Sequence, residues 1–196
     1  MLTILLLLTV LTGHSATITV TSIIDGDPGS LRDAVENIAV DGDSIVFASS
    51  TDNMVQTLTM GEITIDIDVT IIGNGSSTTL VSGGNASRIF VTSSFILPLN
   101  AVSVQRMNLS DGSTTTTGGA IQVNSVLDFE LLECVLTNNE STGNAANEGG
   151  GAIACENAVG TMNITSCDIS NNSASGASGS GGGILLLNGN MTVDMS

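Results

Sequence analysis

The second half of the sequence repeats itself at intervals of about 30 residues. Each repeat opens with a pair of glycines followed by isoleucine, at Gly118–Ile121, Gly150–Ile153 and Gly182–Ile184, and the three isoleucines are 32 and then 31 residues apart. A unit of this length cannot bury its own apolar face, but a stack of such units closes a continuous core. The period therefore predicts a solenoid built from successive coils.

A second pattern recurs between these openings and ends each time in an aspartate or asparagine. The apolar residues keep the same offsets in its three copies, which are Val104, Met107, Leu109 and Asp111; Leu131, Cys134, Leu136 and Asn138; and Ile164, Cys167, Ile169 and Asn171. Stacked coils place equivalent residues about 4.8 Å apart. We therefore expect Asp111, Asn138 and Asn171 to line up at one corner, in an asparagine ladder bonded side chain to side chain.

A polar stretch of small residues comes just before the glycines of each repeat, at residues 112–117, 140–148 and 173–180. Such stretches are typical of loops. Loops at equivalent places of stacked units lie on one face of a solenoid, where sequence variation is tolerated and partners bind. These three loops are therefore the predicted contact surface for a cell-surface or extracellular partner.

The spacing of apolar residues favours strands over helices. In Ile63–Ile71 every odd position is apolar and every even one polar, which predicts one nine-residue strand with a buried face. Gly73-Asn74-Gly75 then signals a turn. A helical solenoid would need apolar spacings of three and four over about ten or more residues, so the repeats predict an all-β solenoid.

The N-terminal segment predicts an export signal and then a cap for the solenoid. Residues 1–16 contain an apolar run of signal-peptide length, followed by small residues suited to cleavage. Residues 17–60 comprise a predicted strand, a helix at Leu31–Val40 with Ser30 as its N-cap, and the first coil. Residues 61–196 are assigned to the β-helix repeats.

The charge of the chain argues against polyanions as partners. The formal net charge is −16, lysine is absent, and the basic side chains are Arg32, Arg88 and Arg106. Nucleic acid and anionic membrane surfaces are bound by a basic patch that displaces counterions, and three isolated arginines cannot form one. We therefore expect no nucleic-acid partner. No apolar run after residue 16 is long enough to predict a transmembrane helix.

The repeats resemble those of polymorphic outer membrane proteins of the chlamydial type. The resemblance rests on the Gly-Gly-Ala-Ile openings, each followed by a turn with paired asparagines, Asn138-Asn139 and Asn171-Asn172. In addition, Asp27–Val35 is similar to the segment that caps the first coil of many bacterial secreted β-helix proteins. The resemblance implies a right-handed parallel β-helix, the β-solenoid of the pectin-lyase-like fold, with a short N-terminal capping helix.

Two departures from the family pattern accompany this resemblance. Cys134 and Cys167 stand where the family repeats usually have phenylalanine before the paired asparagines. The family also has a C-terminal part that anchors it in an outer membrane, whereas this sequence stops at Ser196 within a strand that matches earlier repeats. We therefore expect a truncated chain that is secreted or located at the cell surface, with anchoring in an outer membrane only through a missing C-terminal part.

The sequence predicts no catalytic, cofactor-binding or metal-binding residues. Four acidic residues have part of the spacing of a calcium loop, namely Asp25, Asp27, Asp33 and Glu36. The glycine expected at the sixth position of such a loop is serine here, and the same residues explain a turn and a helix start. Asp66 and Asp68 could form an acid–base or metal pair, but they fit solvated strand positions better.

The cysteines and the sequons give no functional assignment. Cys134 and Cys167 occupy equivalent positions on neighbouring coils, where we expect buried free thiols that act as small apolar side chains. Cys155 could instead pair with another molecule. Seven N-x-S/T sequons would signal glycosylation only in a eukaryotic host: Asn74, Asn85, Asn108, Asn139, Asn163, Asn171 and Asn190.

These features favour a secreted or cell-surface β-helix repeat protein that is adhesin-like or purely structural, and that is not an enzyme. The alternative is a fragment of a β-helix polysaccharide lyase or hydrolase, since that class shares the fold. Such enzymes typically need a carboxylate cluster with a basic residue, and neither Arg88 nor Arg106 has an obvious one in its neighbourhood.

Overall fold

Short strands separated by tight corners wind the chain into a right-handed parallel β-helix, a β-solenoid of about six turns. This computed structural model describes residues 15–93, 98–157 and 160–194. The predicted fold class is confirmed. The predicted signal peptide lies outside the described residues except for its last two.

The strands follow one another along the chain, with a short helical segment between the first two. The first coils contain β1 (Thr17–Val20), β2 (Asp43–Phe47), β3 (Val55–Thr57), β4 (Ile63–Ile65), β5 (Val69–Ile72), β6 (Leu80–Ser82) and β7 (Phe90–Thr92). The next two coils contain β8 (Leu99–Gln105), β9 (Asn108–Ser110), β10 (Ser113–Thr114), β11 (Ile121–Asn124), β12 (Val126–Leu132), β13 (Val135–Thr137), β14 (Glu140–Ser141) and β15 (Ile153–Asn157). The final described strands are β16 (Thr161–Thr165), β17 (Asp168–Ser170), β18 (Ser173–Ala174), β19 (Ile184–Leu186) and β20 (Asn190–Asp194).

Equivalent strands of successive coils pair in parallel and stack into sheets. The first sheet has the order β1-β2-β5-β8-β12-β16-β20, the second β3-β6-β9-β13-β17 and the third β4-β7-β11-β15-β19. A short fourth sheet, β10-β14-β18, runs through the repeats. Ile121, Ile153 and Ile184 pair in register in the third sheet. The predicted period of the repeats is therefore one turn of the solenoid.

The core consists of apolar side chains that stack directly on their equivalents in the next coil. In the first sheet, Ile71, Val104, Leu131 and Ile164 pair in register, and all four are fully buried. Burying an aliphatic side chain of this size contributes about 1.5–3 kcal/mol. The recurring apolar offsets in the sequence are thus the inner face of the solenoid, and each coil covers the apolar face of the coil before it.

The single strand predicted at Ile63–Ile71 is wrong, because the chain turns a corner in its middle. The structure divides this segment between β4 in the third sheet and β5 in the first. The apolar alternation continues across the corner because Ile67 also packs against the core. Asp68 holds the corner, since its carboxylate accepts hydrogen bonds of 2.7 and 2.6 Å from the backbone N–H and the side-chain amide of Asn100. The alternation of apolar residues therefore predicts which side chains face the core, but not the corner between β4 and β5.

The capping helix begins where it was predicted but ends early. The Ser30 side chain accepts a hydrogen bond of 3.2 Å from the backbone N–H three residues on, as an N-cap does. One turn of α-helix, Leu31–Asp33, passes into a π-helical turn, Ala34–Ile38. The helix does not reach Val40 as predicted, because the backbone N–H of Val40 donates to the Asp43 carboxylate instead.

Charged side chains of the cap pair with the edge of the third sheet. Arg32 is buried and binds the Asp25 carboxylate with two N–H groups, at 2.8 and 3.2 Å. Glu36 accepts a hydrogen bond of 3.1 Å from the backbone N–H of Thr64 in β4. Arg32 also donates to two backbone carbonyl oxygens just before β4, those of Gly61 and Glu62. Backbone groups that an edge strand would leave unpaired are therefore satisfied by the cap.

We expect Asp25→Asn to destabilise the protein by about 3 kcal/mol at neutral pH, because it removes the buried carboxylate that pairs with the buried Arg32 guanidinium and leaves only the more exposed Glu36 as a counter-ion. Burial raises the pKa of Asp25, but hydrogen bonds from Arg32, Thr59 and Met60 outweigh it and hold the pKa below its usual value. The carboxylate therefore contributes stability above a pH of about 4, and this contribution is lost as the pH falls through the lowered pKa.

Urea unfolding of the wild type and of Asp25→Asn, at neutral pH and at about pH 2, measures both effects. The difference between the two proteins should shrink at the lower pH. Asp27→Asn is the matched control, because Asp27 is an exposed carboxylate two residues away. A loss that is the same at both pH values would contradict this account of the cap.

The predicted corner exists, but the asparagine ladder lies one residue further along. Asp111, Asn138 and Asn171 stack at equivalent places with φ between 52 and 57°, a left-handed conformation that Asp and Asn tolerate. The ladder is formed by the residues that follow, since Asn139 Nδ2 donates to Asn172 Oδ1 at 3.0 Å. The prediction chose the wrong member of each pair because the left-handed residue is the exposed one.

Asn139 joins its own coil to the coils on both sides. Its Oδ1 accepts from the backbone N–H of Gly112 at 2.8 Å, and its Nδ2 donates to the carbonyl oxygen of Leu109 at 3.1 Å. Its backbone N–H donates to Asn172 Oδ1 at 2.9 Å. Because the side chain is buried, water cannot replace it as the hydrogen-bond partner of these backbone groups. The ladder therefore fixes the register of three coils at one corner.

We expect Asn139→Ala to destabilise the protein by about 3 kcal/mol, since it removes the side-chain partner of the buried N–H of Gly112 and of the carbonyl oxygen of Leu109. Asn138→Gly is the matched control, because Asn138 is exposed and glycine adopts its left-handed conformation without steric cost. Stability of this control should be unchanged or slightly higher. The midpoint of urea unfolding measures both variants, and a loss in Asn139→Ala no larger than in Asn138→Gly would disprove the role of the ladder.

Candidate functional site

The structure brings together the three predicted loops, at residues 112–117, 140–148 and 173–180. They begin with strands β10, β14 and β18, which pair in register as the fourth sheet. Backbone hydrogen bonds continue just beyond these strands. The N–H of Thr142 donates to the carbonyl oxygen of Thr114 at 2.8 Å, and the N–H of Ser175 donates to the carbonyl oxygen of Ser141 at 2.9 Å. We call this surface the loop face.

Side chains also link the second loop to the third. Ser175 Oγ donates to Glu140 Oε1 at 2.6 Å, and the backbone N–H of Ala177 donates to Asn144 Oδ1 at 2.9 Å. Residues 144–147, at the tip of the second loop, are exposed. The loop face therefore combines a hydrogen-bonded base with an accessible tip.

Arg88 anchors the first loop to the preceding coils. Its side chain is only 5% exposed, and it forms an ion pair of 2.6 Å with Glu62. The remaining hydrogen bonds go to the first loop and the glycine after it, at the carbonyl oxygens of Thr117 and Gly118 and the hydroxyls of Thr114 and Thr116. A single guanidinium thus connects three coils.

A chain of polar contacts runs along this corner from the cap to the first loop. Glu62 binds Arg32 through its backbone carbonyl and Arg88 through its carboxylate. Burial lowers the pKa of Arg88, and the negative charge of Glu62 counteracts that effect. The residues in register with Arg88 in the later coils are glycines, Gly119 and Gly151. A Cβ on Gly119 would lie 2.2 Å from the carbonyl oxygen of Gly151, so no side chain fits there.

The acidic partner of Arg88 is not evident from the sequence. No carboxylate stands out in the sequence near Arg88, whereas Glu62 lies 26 residues away and therefore one turn below. The available signal was positional, because both residues come just before a strand of the third sheet. Arg106 also has a partner, Glu133, but at 3.7 Å and with both side chains about half exposed this pair contributes little.

A cleft of about 410 Å³ opens beside the Arg88–Glu62 pair. Its walls come from residues 61–62 of one coil, residues 86–88 of the next coil and residues 113–115 of the first loop. Pockets that bind small molecules typically measure about 300–1,000 Å³. The cleft therefore has the size of a small-ligand site, at the point where the loop face begins.

Cys134 and Cys167 are buried free thiols, as predicted, and they stack on neighbouring coils. The backbone N–H of Cys134 donates to Cys167 Sγ at 3.4 Å. A side-chain hydrogen bond with Cys167, together with burial, raises the pKa of the Cys134 thiol. Cys155 is buried as well, and its thiol donates to the carbonyl oxygen of Asn188 at 3.4 Å. Its position therefore does not suit a bond to another molecule.

The acidic residues considered as a calcium loop are used by the cap. Asp25 and Glu36 bind Arg32, and Asp33 accepts a hydrogen bond of 2.8 Å from the backbone N–H of Gly29. Asp27 is exposed. Among residues 15–93, 98–157 and 160–194, no group of three or more His, Cys, Asp or Glu side chains could hold a metal ion.

The sequons differ in their accessibility. Asn139 is buried, and its amide nitrogen is a donor in the ladder, so a glycan could not be attached without breaking that corner. Four other sequon asparagines are exposed, namely Asn74, Asn85, Asn171 and Asn190. Accessibility therefore narrows the candidate glycosylation sites without assigning any.

Comparisons with protein-family models, with curated proteins and with solved structures find no match to this chain. In the part of the chain that the structure describes, no helix is long and apolar enough to cross a membrane. The features that bear on function are therefore the fold, the loop face and the adjoining cleft.

We expect Arg88→Lys to loosen the first loop, because an ammonium group cannot reproduce the planar fork that reaches Glu62 and the loop at once. Limited proteolysis should cut the variant within residues 112–118 about tenfold faster than the wild type. Arg106→Lys is the matched control, because its ion pair is exposed. If Arg88→Lys and the wild type are cut at the same rate, the loop is held by its backbone contacts alone.

Proposed function

We propose that this chain is a secreted or cell-surface β-helix repeat protein, similar to polymorphic outer membrane proteins, that binds a partner through its loop face in an adhesin-like manner. A β-solenoid suits this role because stacked coils display their loops at a fixed spacing of about 4.8 Å. The observation that carries the proposal is the in-register pairing of β10, β14 and β18, which aligns three polar loops on one surface.

The charge and composition of the loop face bear on the kind of partner. The three loops consist almost entirely of Gly, Ser, Thr, Asn and Ala, with Glu140 and Glu148 as their acidic residues. The whole chain carries a formal charge of −16. Long-range repulsion disfavours polyanionic partners. We therefore infer a neutral or basic protein or glycan surface as the partner.

We infer that the loop face binds rather than catalyses. The alternative function, a fragment of a polysaccharide lyase or hydrolase, would need a basic group facing the substrate. Arg88 is buried, and its N–H groups bind Glu62 and the first loop. Its role is accounted for by positioning the loop, which supports the non-enzymatic proposal.

A charge-matched pair of variants tests the proposal. Thr115→Arg with Ala146→Arg changes two exposed residues of the loop face, whereas Ala101→Arg with Leu127→Arg adds the same charge to exposed positions of the first sheet. Fluorescently labelled protein is added to the producing cells and to cells that they contact, and the bound fraction is measured by flow cytometry.

The proposal predicts that the wild type and the first-sheet variant attach equally. The loop-face variant should attach about tenfold less, which corresponds to about 1.4 kcal/mol of binding free energy. A wild type that attaches to no cells, or a loop-face variant that attaches as well as the wild type, would favour a purely structural repeat.

A further inference from the structure

The cleft beside the first loop offers hydrogen-bonding groups that the fold does not use up. Glu62 lines it with a side chain that is 40% exposed, and its carboxylate accepts one hydrogen bond from Arg88. A carboxylate has room for about four such bonds. The Glu62 carboxylate can therefore accept further hydrogen bonds from a ligand in the cleft.

Hydroxyl groups line the rest of the cleft. Ser113 and Thr115 line it from the first loop, and Ser87 lines it from the coil before. The Ser87 hydroxyl oxygen is buried, so the hydroxyls of Ser113 and Thr115 are the ones that a ligand in the cleft can reach. The cleft therefore suits a ligand with several donors and acceptors.

The charge of the cleft favours a neutral ligand. Arg88 and Glu62 form a pair with no net charge at its wall. Arg88 binds the first loop through its other N–H groups, so it is not available to neutralise an anion. The chain as a whole carries a formal charge of −16, which further disfavours anionic ligands.

We propose that this cleft binds a neutral, hydroxyl-rich ligand of the size of one sugar residue. The inference rests on the proposed function, because it names the chemistry that one end of the loop face recognises. Glu62 accepts hydrogen bonds from the ligand's hydroxyls, and the serine and threonine hydroxyls of the cleft act as donors or acceptors. Arg88 is a positioning residue that holds both Glu62 and the first loop.

Binding of a single sugar residue is weak in this account. The described aromatic side chains, Phe47, Phe90 and Phe129, are buried in the core, so none stacks on a sugar ring in the cleft. Hydrogen bonds from an open polar site exchange with water and add little net affinity. We therefore expect a dissociation constant of about 1–10 mM for one sugar residue.

Ligand-observed NMR on the full chain tests the proposal with D-glucose, D-galactose and N-acetyl-D-glucosamine as neutral probes and D-glucuronate as an anionic one. Ala86→Leu fills the cleft from an exposed position, and Ala101→Leu is the same change at an exposed position of the first sheet, away from the cleft and the loop face. A second pair, Ser113→Ala and Ser50→Ala, removes a hydroxyl at the cleft and at an exposed position between β2 and β3.

The proposal predicts saturation transfer to at least one neutral sugar and weaker transfer to D-glucuronate. Ala86→Leu should weaken binding about tenfold and Ser113→Ala about threefold, while Ala101→Leu and Ser50→Ala leave it unchanged. It is overturned if none of the neutral sugars binds at about 10 mM, or if both cleft variants bind like the wild type. Cell attachment that persists in either case would show that only the cleft assignment has failed.

Discussion

Register between parallel coils is the constraint on which the rest of this structure depends. Every sheet pairs a residue with its equivalent one turn later, so the inner apolar residues and the ladder asparagines Asn139 and Asn172 must recur in step. A strand that slipped by one residue would move its apolar side chains from the core to the surface. Variation is therefore confined to segments outside the long sheets, and the three loops differ in both length and sequence.

The corner before the third sheet is formed by different residues near the cap and in the repeats. Near the cap it is held by buried arginines, with Arg32 and Arg88 both bound to Glu62. In the repeats it consists of glycines, because neighbouring backbones approach too closely for a side chain at Gly119. The change occurs where the first loop begins, so Arg88 lies between two kinds of corner. This position explains why one guanidinium both supports a loop and borders a cleft.

Sequence patterns predicted the solenoid, its period and the position of its loops because each coil repeats the same apolar offsets. They did not predict the bend after β4, since Ile67 keeps the alternation while the chain changes sheet. They placed the ladder at Asn138 rather than Asn139, because spacing alone cannot show which residue of a pair is left-handed. The ion pair of Arg88 with Glu62 joins residues a full turn apart, so it can be identified only when the register between coils is known.

The central claim is that the loops form one ordered surface supported by the coils beneath them. Hydrogen exchange of the backbone amides of Thr142 and Ser175, followed by NMR at neutral pH, tests it most directly. These amides donate to carbonyl oxygens of the preceding loop or strand, so the account predicts that they exchange as slowly as the amides of the long sheets nearby. Exchange at the rate of an unstructured peptide would show that the loops move independently and would contradict the account.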